Sequence, residues 1–232
     1  MITEIDAKLL EKIADLTGKP VGAFNIRKDS GCEARQSTEH IEITPKTDGK
    51  QGIDIRIKAG TKGEQCHIPV IISKTGLSEM VYNDFYIGDD CDVEIVAGCG
   101  IHNSGCNESR HDGVHTFYIG KNSRVHYTEK HYGEDAKGRV ISRSVAQDES
   151  KQVFHPVMVG NSQCFGHVQC DSIIMGSAHI QSIPAISANC PDAQLIHEAA
   201  IGKIAGDQLL KLETLGLTPE EAEETILKGF LA

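Results

Sequence analysis

Four residues in the C-terminal part of the chain combine soft and hard metal ligands with a sulfur nucleophile: Cys170, Cys190, His197 and Glu198. A cysteine acts through its thiolate, which can carry a persulfide or bind iron, and a neighbouring His or Lys lowers its pKa. Cys170 lies in the segment QCDSIIMG, with Cys164 and His167 before it and Asp171 after it, a mixed environment for a thiol. The plainer reading makes it a small ladder residue of an apolar strand. His197 and Glu198 are consecutive, so on a strand they face opposite ways and on a helix they stand about 100° apart. Pro191 and Asp192 precede them and suit a helix start, while the pattern by itself favours an ordinary polar pair that closes a β body.

A second group, CGIHNSGCNESRHDGVHTFYIG, holds Cys99, His102, Cys106, His111 and His115 within seventeen residues. The spacing of Cys99, His102 and Cys106 resembles that of metal ligands, although closed zinc sites usually present paired motifs on a knuckle and the glycines suit loops equally well. His126 and His131 read as solvated strand residues. The motifs GxxxxGK[ST], GxSxG and HExxH are absent. The sequence therefore offers no phosphate-binding loop, no serine-hydrolase elbow and no zinc-protease helix.

Positioning these groups falls to three kinds of segment. Ile5, Leu9, Ile13 and Leu16 recur at helical spacing ahead of Gly18 and Pro20, predicting a short helix within residues 1–20 that caps the end of a β structure. From about Gly22 to Ser187, short runs such as IEIT, IDIRIKA, IPVIIS, VEIVAG, VHYTEK and SIIMG alternate with Gly, Asn, Asp and Ser. That pattern predicts a mainly β core over residues 21–190. Within it YIGDDCDVEI, from Tyr86, and YIGKNSRVHY, from Tyr118, share one form 32 residues apart. Such a repeat predicts the stacked coils of a β-helix, whose interior ladder takes small or apolar side chains.

Residues 191–232 read as helical. Leu209, Leu210 and Leu212 stop at Gly216, and a second helix opens at Thr218. Thr218 suits the N-cap, Pro219 the first helical position and Glu221 the reciprocal capping-box position. The second helix should end at Gly229 and bury Ala222, Ile226 and Leu227.

Composition narrows the class. With 232 residues and 39% hydrophobic content the chain supports a buried core, and its net charge of −10 argues against broad contact with nucleic acid. The first sixteen residues mix acids and lysines with apolar residues, unlike a signal peptide or a membrane span. We expect a cytoplasmic protein whose eight cysteines are thiols rather than four disulfides.

With these residues laid out, the C-terminal block resembles the SufB/SufD family of iron-sulfur cluster assembly scaffolds. The resemblance rests on QCDSIIMG, on AQLIHEAAIGKI and on DQLLKLETLGLTPEEAEETILKGF, in that order over about sixty residues. It implies a right-handed parallel β-helix and a non-catalytic scaffold for a transient iron-sulfur cluster. Cys170 matches the family's cluster or sulfur-accepting cysteine, and His197 and Glu198 match its HEA motif. Cys190 falls where some SufB members also have cysteine. The cofactors implied are iron and the cluster itself.

The partners implied are an ABC-type ATPase of the SufC kind, recipient apo-proteins, and a second copy of the chain through the β-helix. Docking of the ATPase is expected on the helical tail at Asp207, Gln208, Leu209, Leu210, Leu215 and Leu217. Where the family carries an aromatic in its QLFYL segment, this sequence has Leu210 and Lys211. The short chain is similar to the SufB-like protein of minimal two-component systems, where a homodimer replaces the mixed pair.

Two other readings compete. A hexapeptide acyltransferase would use IGDDCDV and IGKNSRV as coils and His115 or His126 as general base, but it needs many tandem six-residue repeats. A β-helix binding module would use its thiols for packing and hold zinc between Cys99 and His115.

Overall fold

The computed structural model describes residues 2–18, 20–102, 107–134 and 136–231. Helix α1 (Glu4–Ala14) is followed by two antiparallel pairs, β1 (Ala23–Lys28) with β2 (Gly31–Gln36) and β3 (Ile41–Pro45) with β4 (Gly52–Ile57). The chain then winds through β5 (Lys62–Ile72), β6 (Ser78–Ile87), β7 (Asp92–His102), β8 (Ser109–Ile119), β9 (Arg124–Glu134), β10 (Ala136–Ala146), β11 (Lys151–Gly160) and β12 (Cys164–Ile174). It closes the β body with β13 (His179–Ser182), β14 (Ala185–Ala188) and β15 (Ala193–Gly202). One sheet runs β13-β11-β9-β7-β5-β1-β2, with β14 also on β11, and the other runs β15-β12-β10-β8-β6-β4-β3. Successive coils pair in parallel, so the molecule is the expected β-helix, a solenoid of about five turns.

The repeat seen in the sequence is one coil. Tyr86 and Tyr118 are register partners on β6 and β8, and their rings stack on the outer surface at 4.8 Å. Inside, Phe85 stacks on Phe117 at 4.4 Å and Tyr127 on Phe154 at 5.1 Å. The glycine of each copy is required by close approach, since a Cβ on Gly120 would stand 2.6 Å from the Gly88 carbonyl carbon. After it, Asp90 and Asn122 adopt the left-handed conformation that short polar residues tolerate.

The small residue that follows them turns the corner. Thr61, Cys91, Ser123, Ser150 and Ala178 form a buried column, each carbonyl from Thr61 to Ser150 accepting the amide at the start of the next coil's strand. The Ser123 and Ser150 hydroxyls donate to the Gly88 and Gly120 carbonyls at 2.7 and 2.9 Å.

The N-terminal helix is where the pattern placed it, but it lies across the outer side of a sheet, over β5, β7 and β9, and not over the solenoid's end. Leu9, Leu10, Ile13 and Ala14 bury themselves against Phe24, Ile26, Ile71 and Val96, while Ile5 faces solvent. Each of the buried leucine and isoleucine side chains contributes roughly 1.5–3 kcal/mol. A Thr3–Asp6 capping box starts the helix and a left-handed Asp15 ends it, ahead of Gly18. Gly98 and Gly100 on β7 leave room for it: a Cβ at Gly98 would stand 2.4 Å from the Ile13 carbonyl oxygen.

Two boundaries differ from the sequence reading. Residues 193–202 are strand β15 rather than the start of the helical tail, because their alternation continues the ladder of β12. The tail consists of α2 (Gly206–Thr214) and α3 (Pro219–Leu231). Thr218 and Glu221 make the reciprocal cap at 3.2 and 2.8 Å, and Ala222 is buried. Gly229 does not stop α3, which runs through it at ordinary helical dihedrals.

The interior is not wholly apolar. Glu79 on β6 points inward and meets Arg27 Nε at 3.1 Å and His111 Nδ1 at 3.0 Å. Burial raises the Glu79 carboxyl, but His111, Arg27 and Ser30 outweigh it and hold the group at about 2. A carboxyl depressed in the folded state adds stability above its unfolded pKa and loses it as pH falls toward the folded value.

Two outcomes follow from this packing. Gly98→Ala should cost about 1–3 kcal/mol in chemical denaturation by displacing α1, whereas Gly202→Ala, with open space around it, should stay within about 0.5 kcal/mol. Between pH 4.5 and 2 the wild type should lose on the order of 3 kcal/mol more than Glu79→Gln, and parallel stability curves would show that Glu79 holds no native charge.

Candidate functional site

Cys170 sits on β12 between Ser142 of β10 and Ala199 of β15. The strand alternates, so Val168, Cys170 and Ser172 point into the solenoid while His167, Gln169 and Asp171 point out. The thiol is 1% exposed and its Sγ lies 3.7 Å from the Ser172 hydroxyl. Burial pushes it up, the hydroxyl offsets part of this and Asp171 adds to it. Cys170 is thus a protonated thiol at neutral pH, which becomes a strong ligand or nucleophile when a metal or base removes the proton.

His197 and Glu198 lie on β15, a strand within the segment expected to open the helical tail, and they face opposite ways. His197 pairs with Val168 and shares the interior face with Cys170, a diagonal neighbour roughly 8 Å away between Cα atoms. Its Nε2 lies 3.3 Å from the Ser182 hydroxyl on β13. Burial, then the charge of His167, pulls the ring below its ordinary value, leaving a neutral imidazole with a lone pair to give. Glu198 is on the outer face, where its carboxylate lies 3.3 Å from His167 Nε2.

Cys190 occupies the turn before β15, with its carbonyl accepting the Ala193 amide at 3.1 Å. Ala193 lies six positions along β15 from the rung of Cys170, about 20 Å. The fold therefore brings Cys170 and His197 together, places Glu198 behind them through the sheet, and sets Cys190 at a distant corner.

The second cluster divides likewise. Cys99 points inward on β7 as the register partner of His131, whereas His102, three positions on, faces the other side. Cys106 lies outside the described residues. Among the described residues no three His, Cys, Asp or Glu side chains are gathered so as to hold a metal ion.

His111 and His115 are enclosed between the sheets and already partnered, His111 by Glu79 and His115 by Tyr127. Tyr127 donates to Glu129 Oε2 at 2.6 Å and lies 2.7 Å from His115 Nδ1, which assigns the His115 proton to Nδ1. Glu129 Oε1 in turn lies 3.3 Å from His131 Nε2.

His131 is therefore not a solvated strand residue, whereas His126 is exposed as expected. Sequence reasoning missed Glu79, Tyr127, Glu129 and His131 as interior groups. The signal was parity, because Tyr127, Glu129 and His131 share the phase of the plainly apolar Val125.

Among the described residues nothing caps the end of the solenoid near His197. β15 pairs only with β12 in the described structure, and Ile183, Ile186, Ile196 and Ile201 around it are all exposed.

A family model described as "SUF system FeS cluster assembly, SufBD core domain" matches residues 107–230, just over half of the chain. An iron-sulfur cluster assembly SufBD family protein of Methanocaldococcus jannaschii is 38% identical over 109 residues, which is 47% of this chain and 34% of the relative. Two SufBD family proteins of Pyrococcus horikoshii are similar as well. One is 29% identical over 195 residues, 83% of this chain and 38% of the relative, and the other 36% over 114 residues, 48% and 35%. The chain spans about a third of the length of these curated relatives. The match takes in every strand from β8 to β15, with Cys170, Cys190, His197 and Glu198, and most of the helical tail, so the chain belongs to the SufBD family of iron-sulfur cluster assembly proteins.

Proposed function

We propose that this protein is a scaffold on which an iron-sulfur cluster is built, with Cys170 taking up sulfur and His197 and Glu198 supplying iron ligands. The observation that carries the reading is the shared inward face of Cys170 and His197 at the uncapped end of a SufBD-family solenoid. In the sulfur step the Cys170 thiolate attacks the outer sulfur of a donor persulfide. The donor leaves as a thiolate and the new persulfide stays on Cys170. The neutral imidazole of His197 and the carboxylate of Glu198 are weaker ligands than thiolate, which suits a cluster that must later be released. Because β15 stands between them, Glu198 receives iron on the outer face beside His167 while sulfur chemistry proceeds inside. Cys190 offers a further thiol at the corner of the same end.

A second copy of the chain is the natural cover for that end. An exposed strand edge with apolar neighbours invites pairing, and β15 against β15 of another copy would satisfy both edges. The tail suits a different partner, an ABC-type ATPase of the SufC kind, since this chain carries no nucleotide-binding motif. Leu210 and Leu215 are exposed beside Asp207 and Gln208, with Leu209 and Leu217 half-buried, an apolar surface with a polar rim. No described helix is long and apolar enough to cross a membrane, and a cytoplasmic setting fits thiol chemistry.

Anaerobic reconstitution with iron and sulfide should give a brown, sulfide-containing protein, and Cys170→Ala should abolish it with the circular dichroism unchanged. A full cluster yield in that variant would sink the assignment. Removing the tail after Gly206 should abolish ATPase capture in a pull-down yet leave the dimer intact on a sizing column, and retained capture would place the docking surface elsewhere.

A further inference from the structure

The thiol of Cys170 stands among small polar residues whose hydrogen-bonding capacity the packing does not use up. Ser142 precedes it by one coil at the same position, roughly 5 Å away between Cα atoms, and Ala199 follows it. Ser172, two residues along β12, holds its hydroxyl 3.7 Å from the Cys170 Sγ. The stack can satisfy its own hydroxyls, since Ser144 and Ser172 on successive coils bond to one another at 2.8 Å. The Ser142 hydroxyl, however, has no hydrogen-bond partner among the described residues, and neither has either amide atom of Gln152, although both side chains are only 1% exposed. A buried polar group left unbonded costs stability, so two of them around one thiol point to a ligand.

Gln152 reaches the same region from the facing sheet. β11 and β12 fold back on one another, so that a Cβ on Gly160 would stand 2.9 Å from Cys164 Sγ and one on Gly166 would stand 3.5 Å from Met158 Sδ. Continuing by steps of two along both inward faces, Phe154 comes opposite Cys170 and Gln152 opposite Ser172. Tyr127, within electrostatic reach of Cys170, donates its proton to Glu129 and has none to spare.

We infer that Ser142, Ser172 and Gln152 form the pocket that holds the terminal sulfur of a Cys170 persulfide, donating hydrogen bonds to it as it takes negative charge. This role presupposes Cys170 as the sulfur-accepting thiol. In the uptake step Cys170 loses its proton and the thiolate attacks the outer sulfur of a donor persulfide. The donor's sulfur–sulfur bond breaks, and the donor leaves with that electron pair as a thiolate, which takes up the proton. A persulfide is a stronger acid than its parent thiol, so the new terminal sulfur is an anion at neutral pH. Burial opposes that charge, and the inward faces of β10, β11, β12 and β15 carry no lysine or arginine to offset it. Hydrogen bonds are what remains. Ser142 and the Gln152 amide are unbonded donors, and with Ser144 as donor in its pair the Ser172 hydrogen is left for the sulfur.

The test equilibrates the whole chain anaerobically with glutathione persulfide and glutathione, and reads the Cys170 peptide by mass spectrometry. Wild type should carry one added sulfur atom on Cys170, removable by dithiothreitol. Ser142→Ala and Gln152→Leu should each lower the equilibrium constant for sulfur uptake about tenfold, and raise by about one pH unit the midpoint at which the persulfide reacts with iodoacetamide, because each removes a hydrogen bond to the charged form. Both variants should unfold in urea no earlier than wild type, since neither group is bonded in the resting protein. Ser142→Thr keeps the hydroxyl and should retain uptake and midpoint. If wild type gains no sulfur at Cys170, the assembly reading and this pocket fall together. Sulfur uptake with unchanged equilibrium and midpoint in the variants, or variants already destabilised before sulfur is added, would overturn the pocket alone.

Discussion

Parallel, in-register stacking of one coil on the next is the constraint from which the rest of this molecule follows. Each inward side chain rests on its counterpart a coil earlier and a coil later, so a group is acceptable only if its column can satisfy it. Aromatic rings meet aromatic rings, as at Phe85 and Phe117, and small corner residues carry hydrogen bonds from coil to coil through Ser123 and Ser150. Where the column holds a charge, the facing sheet, a neighbouring strand or the same strand supplies the partner: Glu79 has Arg27 and His111, and Glu129 has Tyr127 and His131 two positions either side of it on β9. An unpaired carboxylate in such an interior would cost several kcal/mol.

The same stacking organises the candidate site. Strand alternation sends Cys170 and His197 into the solenoid and Glu198 out of it, so a motif contiguous in sequence serves two faces of one sheet. The inner face offers a protonated thiol beside a neutral imidazole, whereas the outer face offers an exposed carboxylate against His167. Position along the stack matters as much as parity. These residues occupy the last two coils, next to an edge that the described residues leave uncovered, where the proposed chemistry inside the solenoid would be coupled to association at its end.

Much of the frame was legible in the residues. The copies at Tyr86 and Tyr118 set the length of a coil, the apolar spacing from Leu9 to Ile13 placed α1, and Thr218 with Glu221 marked the start of α3. These signals are local, being satisfied by atoms a few residues away or by the next copy of the same pattern. Less legible was the boundary at residues 193–202, because a strand at the end of a solenoid is half-covered and its alternation of Leu195, His197 and Ala199 is too mildly apolar to announce itself. The polar interior was missed for a related reason. Glu129 and His131 look like solvent residues until the sheet opposite is known, and only their phase with Val125 hints otherwise.

By itself the sequence determined the fold class, the coil repeat, the helical tail and the identity of the thiol and imidazole that carry the proposed chemistry. The first three rest on residue type and short-range spacing, the last on the match to the family's motifs. Tertiary structure alone decided which of those groups meet. Cys99 and Met158 flank His131 along one sheet, Cys170 shares its face with His197, and Cys190 stands apart, because contacts in a solenoid depend on how successive coils stack and no local spacing encodes that.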